Sequence, residues 1–88
     1  MKLRGEFIVR RLGEDTVAIP MGQTALEFNG MILLNDVSKV IWECLERPCQ
    51  AEEIVTAVTN DFDVSADEAR ADIMEYLSKL RECGLLEE

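Results

Sequence analysis

Eighty-eight residues, 48% of them hydrophobic and 31% charged, suffice for one domain with a modest core and a well-solvated surface. A net charge of −9 repels phosphates and argues against nucleic-acid binding, and the absence of histidine removes Ser-His-Asp, Cys-His and histidine-based zinc chemistry. No signal peptide or membrane-spanning run is recognisable, and an odd set of cysteines (Cys44, Cys49, Cys83) fits reduced thiols in a cytoplasmic protein better than a disulfide scaffold.

Residues 1–12 carry Lys2, Arg4, Arg10 and Arg11 against Glu6 alone. Glu6–Leu12 reads as a strand, Gly13-Glu14-Asp15 as a turn, and Thr16–Pro20 as a second strand ended by its proline, which together predict a β-hairpin. The basic start reads as a solvated edge that discourages aggregation in preference to a contact for an acidic partner. Met21–Phe28, broken by Gly22, is expected to be a loop anchored by Leu26 and Phe28. Asn29-Gly30 then opens a short apolar run, Met31-Ile32-Leu33-Leu34, and Asn35-Asp36 closes it as a helix start. A run this short suits a buried strand, the seam between a β-rich first part and a helical second part.

Val37, Val40, Ile41, Cys44 and Leu45 recur at helical spacing, with Glu43 and Arg47 placed to pair, and Pro48 stops this first helix. A second begins near Gln50 and is expected to bury Ile54, Val55 and Val58, with a start that lacks a Ser or Thr cap and frays first. The third is the best specified. Ser65-Ala66-Asp67-Glu68 is a capping box, and Gly84 followed by Leu85 suits a left-handed helix end against Leu80. Ala66, Ala69, Ile73, Tyr76, Leu77 and Leu80 form its apolar stripe, with Glu75 and Lys79 on the far side. Arg70, Met74 and Arg81 fall on a shoulder beside that stripe, bordered by Leu77, which fits either a partly open groove framed by cations or a core widened by Met74 with solubilising arginines.

The acidic pairs Glu52-Glu53, Asp67-Glu68 and Glu87-Glu88 sit in first helical turns or at the chain end, where nothing raises a carboxyl pKa for acid–base work. The cysteine spacing does not match a metal site, and no glycine loop is built for a phosphate. No catalytic residue, metal site or cofactor is expected, which leaves a binding module.

The order of hairpin, Phe28-Asn29-Gly30-Met31, Leu34-Asn35-Asp36, Trp42-Glu43-Cys44-Leu45, Glu52-Glu53-Ile54-Val55, Asp61-Phe62-Asp63-Val64 and a closing Leu80 with Gly84-Leu85-Leu86 resembles the PqqD-like family over nearly the whole chain. Gln50 stands where that family has Thr, and Met21–Leu26 is a long connection for it. The resemblance implies an α+β, winged-helix-like fold, with a three-stranded antiparallel sheet followed by three helices over a single domain 1–88. It further implies a non-catalytic recognition element that binds the leader of a ribosomally made precursor peptide. Such an element presents the leader to a modifying enzyme, often a radical S-adenosylmethionine enzyme. The leader adds as a strand to the third strand, which carries over to Met31, Ile32, Leu33 and Leu34, facing Arg70, Met74, Leu77 and Arg81, the arginines selecting acidic leaders. A monomer or weak dimer with no nucleic-acid or membrane partner is expected. The rival reading is a winged-helix docking subunit or regulator that sees no leader. DNA binding is disfavoured because the second helix has Glu52, Glu53 and Asp61 but no basic residue.

Overall fold

A computed structural model covers residues 1–88. In chain order the elements are β1 (Lys2–Leu3), β2 (Phe7–Leu12), β3 (Asp15–Pro20), α1 (Gly22–Glu27), β4 (Ile32–Leu34), α2 (Asp36–Cys44), α3 (Ala51–Asp61), α4 (Ala66–Glu82) and β5 (Leu86–Glu87). The chain falls into two compact units, Gly5–Lys39 and Met1–Arg4 with Val40–Glu88.

The first unit is built on an antiparallel sheet of order β2-β3-β4. Gly13 and Glu14 are the central residues of a two-residue hairpin closed by the Leu12↔Asp15 pair. Gly13 has φ 64° there, and a type II′ turn needs a positive φ at this first central position, which glycine adopts without strain. On the central strand the neighbours Val17 and Ala18 point to opposite faces, and both are buried.

Met21–Phe28 is not the expected loop: Gly22–Glu27 forms the short helix α1, so the fold has four helices rather than three. No residue of α1 is buried, so a helical stripe could not have marked it, and Leu26 is exposed rather than an anchor. The segment is held instead by polar bonds, from Glu6 N–H to Thr24 Oγ1 (2.8 Å) and from Met21 N–H to the Glu6 carbonyl (2.9 Å). Phe28 does serve as an anchor, meeting Phe7 edge-on with ring centroids 5.9 Å apart.

The second unit contains α3 and α4, and most of its core comes from their inner faces. Ile54, Val55 and Val58 of α3 and Ala69, Ile73, Leu77 and Leu80 of α4 are buried, each large side chain worth about 1.5–3 kcal/mol of transfer free energy. Trp42 is also fully buried, with its Nε1–H donating to Tyr76 Oη at 2.8 Å. The stripe read for the first helix omitted this residue. Ala66 is exposed, because it belongs to the first turn of α4 and not to its packed length. Glu43 and Arg47 do not pair, since α2 ends at Cys44 before a full turn connects them.

Ser65 caps α4 by accepting from Glu68 N–H at 3.2 Å, although the return bond of a full capping box is not made. At the other end Gly84, with φ 75°, completes a Schellman motif. Leu85 N–H donates to the Leu80 carbonyl (2.9 Å) and Gly84 N–H to that of Arg81 (3.0 Å). The start of α3, expected to be poorly capped, is secured by Glu53, whose carboxylate accepts from Gln50 N–H at 2.8 Å. Lys2 and Leu3 pair antiparallel with Glu87 and Leu86, an additional two-stranded ribbon absent from the sequence reading.

Candidate functional site

β4 is an edge strand. Its inner side pairs with β3 in the register Thr16↔Leu34, Val17↔Leu33 and Ala18↔Ile32, and its outer side has no strand partner. Side chains alternate along it as a pleated strand requires: Leu34 is buried and Ile32 half-buried, while Leu33 is 68% and Met31 57% exposed. Two large apolar side chains are therefore held open beside unpaired backbone donors and acceptors, the combination that accepts an added strand.

The strand leads into α2 without a linker, and Asn35 is the hinge of that junction. Its Oδ1 accepts from Ser38 N–H (2.8 Å), and Ser38 Oγ accepts from Asn35 N–H (2.8 Å), a reciprocal cap. Ser38 is the buried polar residue of the fold, and its hydroxyl also reaches the Asn35 carbonyl at 3.1 Å. Asn35, rather than Asp36, is thus the cap, and it fixes where β4 stops. The spacing Asn35-x-x-Ser38 was the available sequence signal.

On α4, Met74 is 48% exposed, an apolar side chain open to solvent. Leu77 is 1% exposed and belongs to the core, so it presents no surface. The flanking arginines are already engaged. Arg70 grips Glu52 with two bonds of 2.8 Å, from Nε and Nη2, and reaches Asp67 at 3.2 Å. Arg81 Nε donates to Glu88 Oε1 at 2.8 Å. The hydrogen bond from Arg70 holds the Glu52 carboxyl below its ordinary pKa, and the same bond raises that of Arg70. Asp67 lies one helical turn from Arg70, but Glu52 and Glu88 could not be foreseen, since Glu52 lies 18 residues from Arg70 and Glu88 lies 7 residues from Arg81. Lys79 and Glu75, one helical turn apart, do pair as their spacing predicts, at 3.7 Å.

All three cysteines are free: Cys49 is buried, Cys44 half-buried and Cys83 exposed. Burial pushes the Cys44 and Cys49 thiols up, which favours the inert thiol over the thiolate. No group of three or more His, Cys, Asp or Glu side chains is placed to hold a metal ion, and no helix is long and apolar enough to cross a membrane.

Comparison with known proteins adds two findings. The family model described as Coenzyme PQQ synthesis protein D (PqqD) matches residues 14–86. Among solved structures, TbiB1 in complex with the TbiA(beta) leader peptide aligns with a TM-score of 0.73 and 24% identity, covering 99% of this chain and 95% of that one. The second likeness is one of fold. No curated protein gives a significant match.

Proposed function

The chain belongs to the PqqD family, and on that premise we propose that it is a non-catalytic peptide-binding protein. It takes up the leader of a ribosomally made precursor peptide and presents it to a modifying enzyme of the radical S-adenosylmethionine class. The observation that carries this reading is the family match over residues 14–86, which includes the open apolar edge of β4. TbiB1, the structural neighbour, was solved with a leader peptide bound, which is the kind of ligand assigned here.

The chemistry follows from the edge. An extended leader pairs its backbone with the outer side of Ile32–Leu34, a stretch of roughly 10 Å that admits few hydrogen bonds. Backbone pairing alone is therefore weak, and alternate apolar side chains of the leader must add contacts at Met31 and Leu33. Met74 is a separate apolar contact on α4. Arg70 and Arg81 discriminate less than free cations would, because an acidic leader residue must displace Glu52 or Glu88 and the exchange returns little net energy.

Titration of the protein with an isotopically unlabelled leader, followed by amide shifts, tests the reading. Shifts are expected at Met31–Leu34 and around Met74. Met74→Ala should weaken binding several-fold with little loss of stability. Leu77→Ala should instead cost about 2–5 kcal/mol of folding free energy and act on binding only through unfolding. Shifts confined to the Gly13 turn or to α3 refute strand addition at β4. Capture of the enzyme with no response to any leader favours a docking subunit.

A further inference from the structure

The sheet β2-β3-β4 has a second edge. β2 pairs with β3 on its inner side and with no strand on its outer side, and its six residues make it longer than the three-residue β4. Which of its backbone groups face outward follows from the hairpin. A two-residue turn makes the closing pair Leu12↔Asp15 a hydrogen-bonded one, and such pairs recur at every second residue, next at Arg10↔Val17. Val9 and Arg11 therefore aim their N–H and C=O groups away from β3, and no group of the fold bonds to them there. The same alternation on the other side of β3 makes Thr16↔Leu34 and Ala18↔Ile32 hydrogen-bonded, which leaves Leu33 alone within β4 to face outward. The β2 edge is thus the richer in open backbone donors and acceptors.

Its side chains set the kind of strand it admits. Arg10, Arg11 and Leu12 are exposed, while Val9 is half-buried. Neighbours on a strand point to opposite faces, so Arg10 and Arg11 place one cation on each face of the sheet beside the open edge. Neither takes part in the ion pairs of the fold, whose cations are Arg70, Lys79 and Arg81. Arg11 donates its Nε to the Gly13 carbonyl at 3.1 Å. Charge on an edge also turns like edges away, and a second copy would crowd two arginines from each chain onto one short ladder. We propose that the outer edge of β2 docks an extended acidic segment of a partner protein, which adds to the sheet as a further strand.

The register specifies that segment. Opposite Arg10 and Arg11 it carries two adjacent acids, one for each face, and opposite Val9 and Leu12 it carries apolar residues. The order apolar-acid-acid-apolar is the same read from either end, so it serves parallel and antiparallel addition alike. Acids set two residues apart fall on one face and reach one arginine only. The chain's net charge of −9 repels acids at long range, so selection of an acidic strand has to come from these two local cations. The proposal does not rest on leader binding, which uses β4 at the opposite edge of the sheet.

The test uses cyclic hairpin peptides, closed so that little ordering entropy is lost on binding. The outer strand reads Ile-Glu-Glu-Val in the probe, and Ile-Lys-Lys-Val or Glu-Ile-Glu-Val in the two controls. Each is titrated into the isotopically labelled intact protein up to about 3 mM, and amide shifts are followed. Shifts are expected at Val9–Leu12, with Ile-Glu-Glu-Val binding at least about fivefold tighter than either control. Net charge acting alone gives the lysine peptide the advantage instead. Arg10→Gln/Arg11→Gln should erase the preference, and Arg10→Glu/Arg11→Glu should turn it toward lysine. Both positions are exposed, and circular dichroism verifies the fold of each variant. A leader that fails to bind β4 leaves this result standing. The proposal is overturned if β2 shows no shifts, if the parent binds the three peptides equally or prefers lysine, or if shifts fall at Met31–Leu34 in place of β2. Shifts at β2 that follow protein concentration without peptide, the mark of a second copy on this edge, also overturn it.

Discussion

Replacing Asn35 by Ala tests the junction that ends β4. The substitution deletes the Oδ1 atom that accepts from Ser38 N–H at 2.8 Å and from Ser38 Oγ at 3.0 Å. Loss of such a cap costs about 1 kcal/mol, with a range of roughly 0.5–2. Ser38 is buried, so water cannot readily replace the lost acceptor, and an unsatisfied buried donor adds about another 1 kcal/mol. The expected loss is therefore about 2 kcal/mol, or a fall in Tm of about 8–16 °C for a domain of this size. Ser38→Ala removes the acceptor for Asn35 N–H and should cost about 1–2 kcal/mol. Because each side chain serves the other's backbone and they also bond one another, the double variant should lose about 1 kcal/mol less than the sum. Asn35→Asp, which keeps an acceptor oxygen, should stay near the parent. Urea and thermal melts measure all four, with the parent's stability as reference. An Asn35→Ala variant within about 0.3 kcal/mol of the parent would falsify the capping argument, and strict additivity of the pair would remove the reciprocal bond.

Two further predictions address the second unit. The Glu52 carboxyl is held below its ordinary value by Arg70, so its stabilising contribution is full above the ordinary carboxylate pKa and fades as pH falls through the lowered value. Stability of the parent over Glu52→Gln should thus narrow on acidification and at high salt, and a gap unchanged in strong acid argues against the pair. A thiol reagent should modify Cys83 quickly, Cys44 slowly and Cys49 only after unfolding; simultaneous reaction of all three in native buffer contradicts their burial order.

Much of the architecture was legible because its signals are local. The Gly13 turn, the Ser65 cap, the Gly84 helix end and the apolar run Met31–Leu34 each declare themselves within a few residues, and the structure has a turn, caps and a strand at these positions. What escaped notice depends on partners far along the chain or on no stripe at all. α1 buries nothing, so periodicity had nothing to detect. β1 and β5 are two-residue strands that exist only because they find one another. The site reading shows the same division. Met74 could be placed on an open shoulder from helical angle alone, whereas Glu52 and Glu88, the carboxylates that Arg70 and Arg81 hold from outside α4, could not be read from spacing. Leu77, one step further round the helix, fell at the border of the stripe, where 100° steps cannot separate wall from core.

The ribbon of β1 and β5 also bears on the order of folding. Pairing Lys2 with Glu87 closes nearly the whole chain into a loop for a gain of very few hydrogen bonds. Loop closure on that scale costs entropy that so few bonds cannot repay until the intervening elements have shortened the path. The hairpin of β2 and β3, joined by two residues, and the adjacent helices α3 and α4 face no such barrier. They form early, and β1 locks against β5 last, with Leu3 and Arg4 then donating to the carbonyls of Leu45 and Leu85. In reverse the same ribbon is the first part to open, so those two amides should exchange with solvent long before the amides of α4.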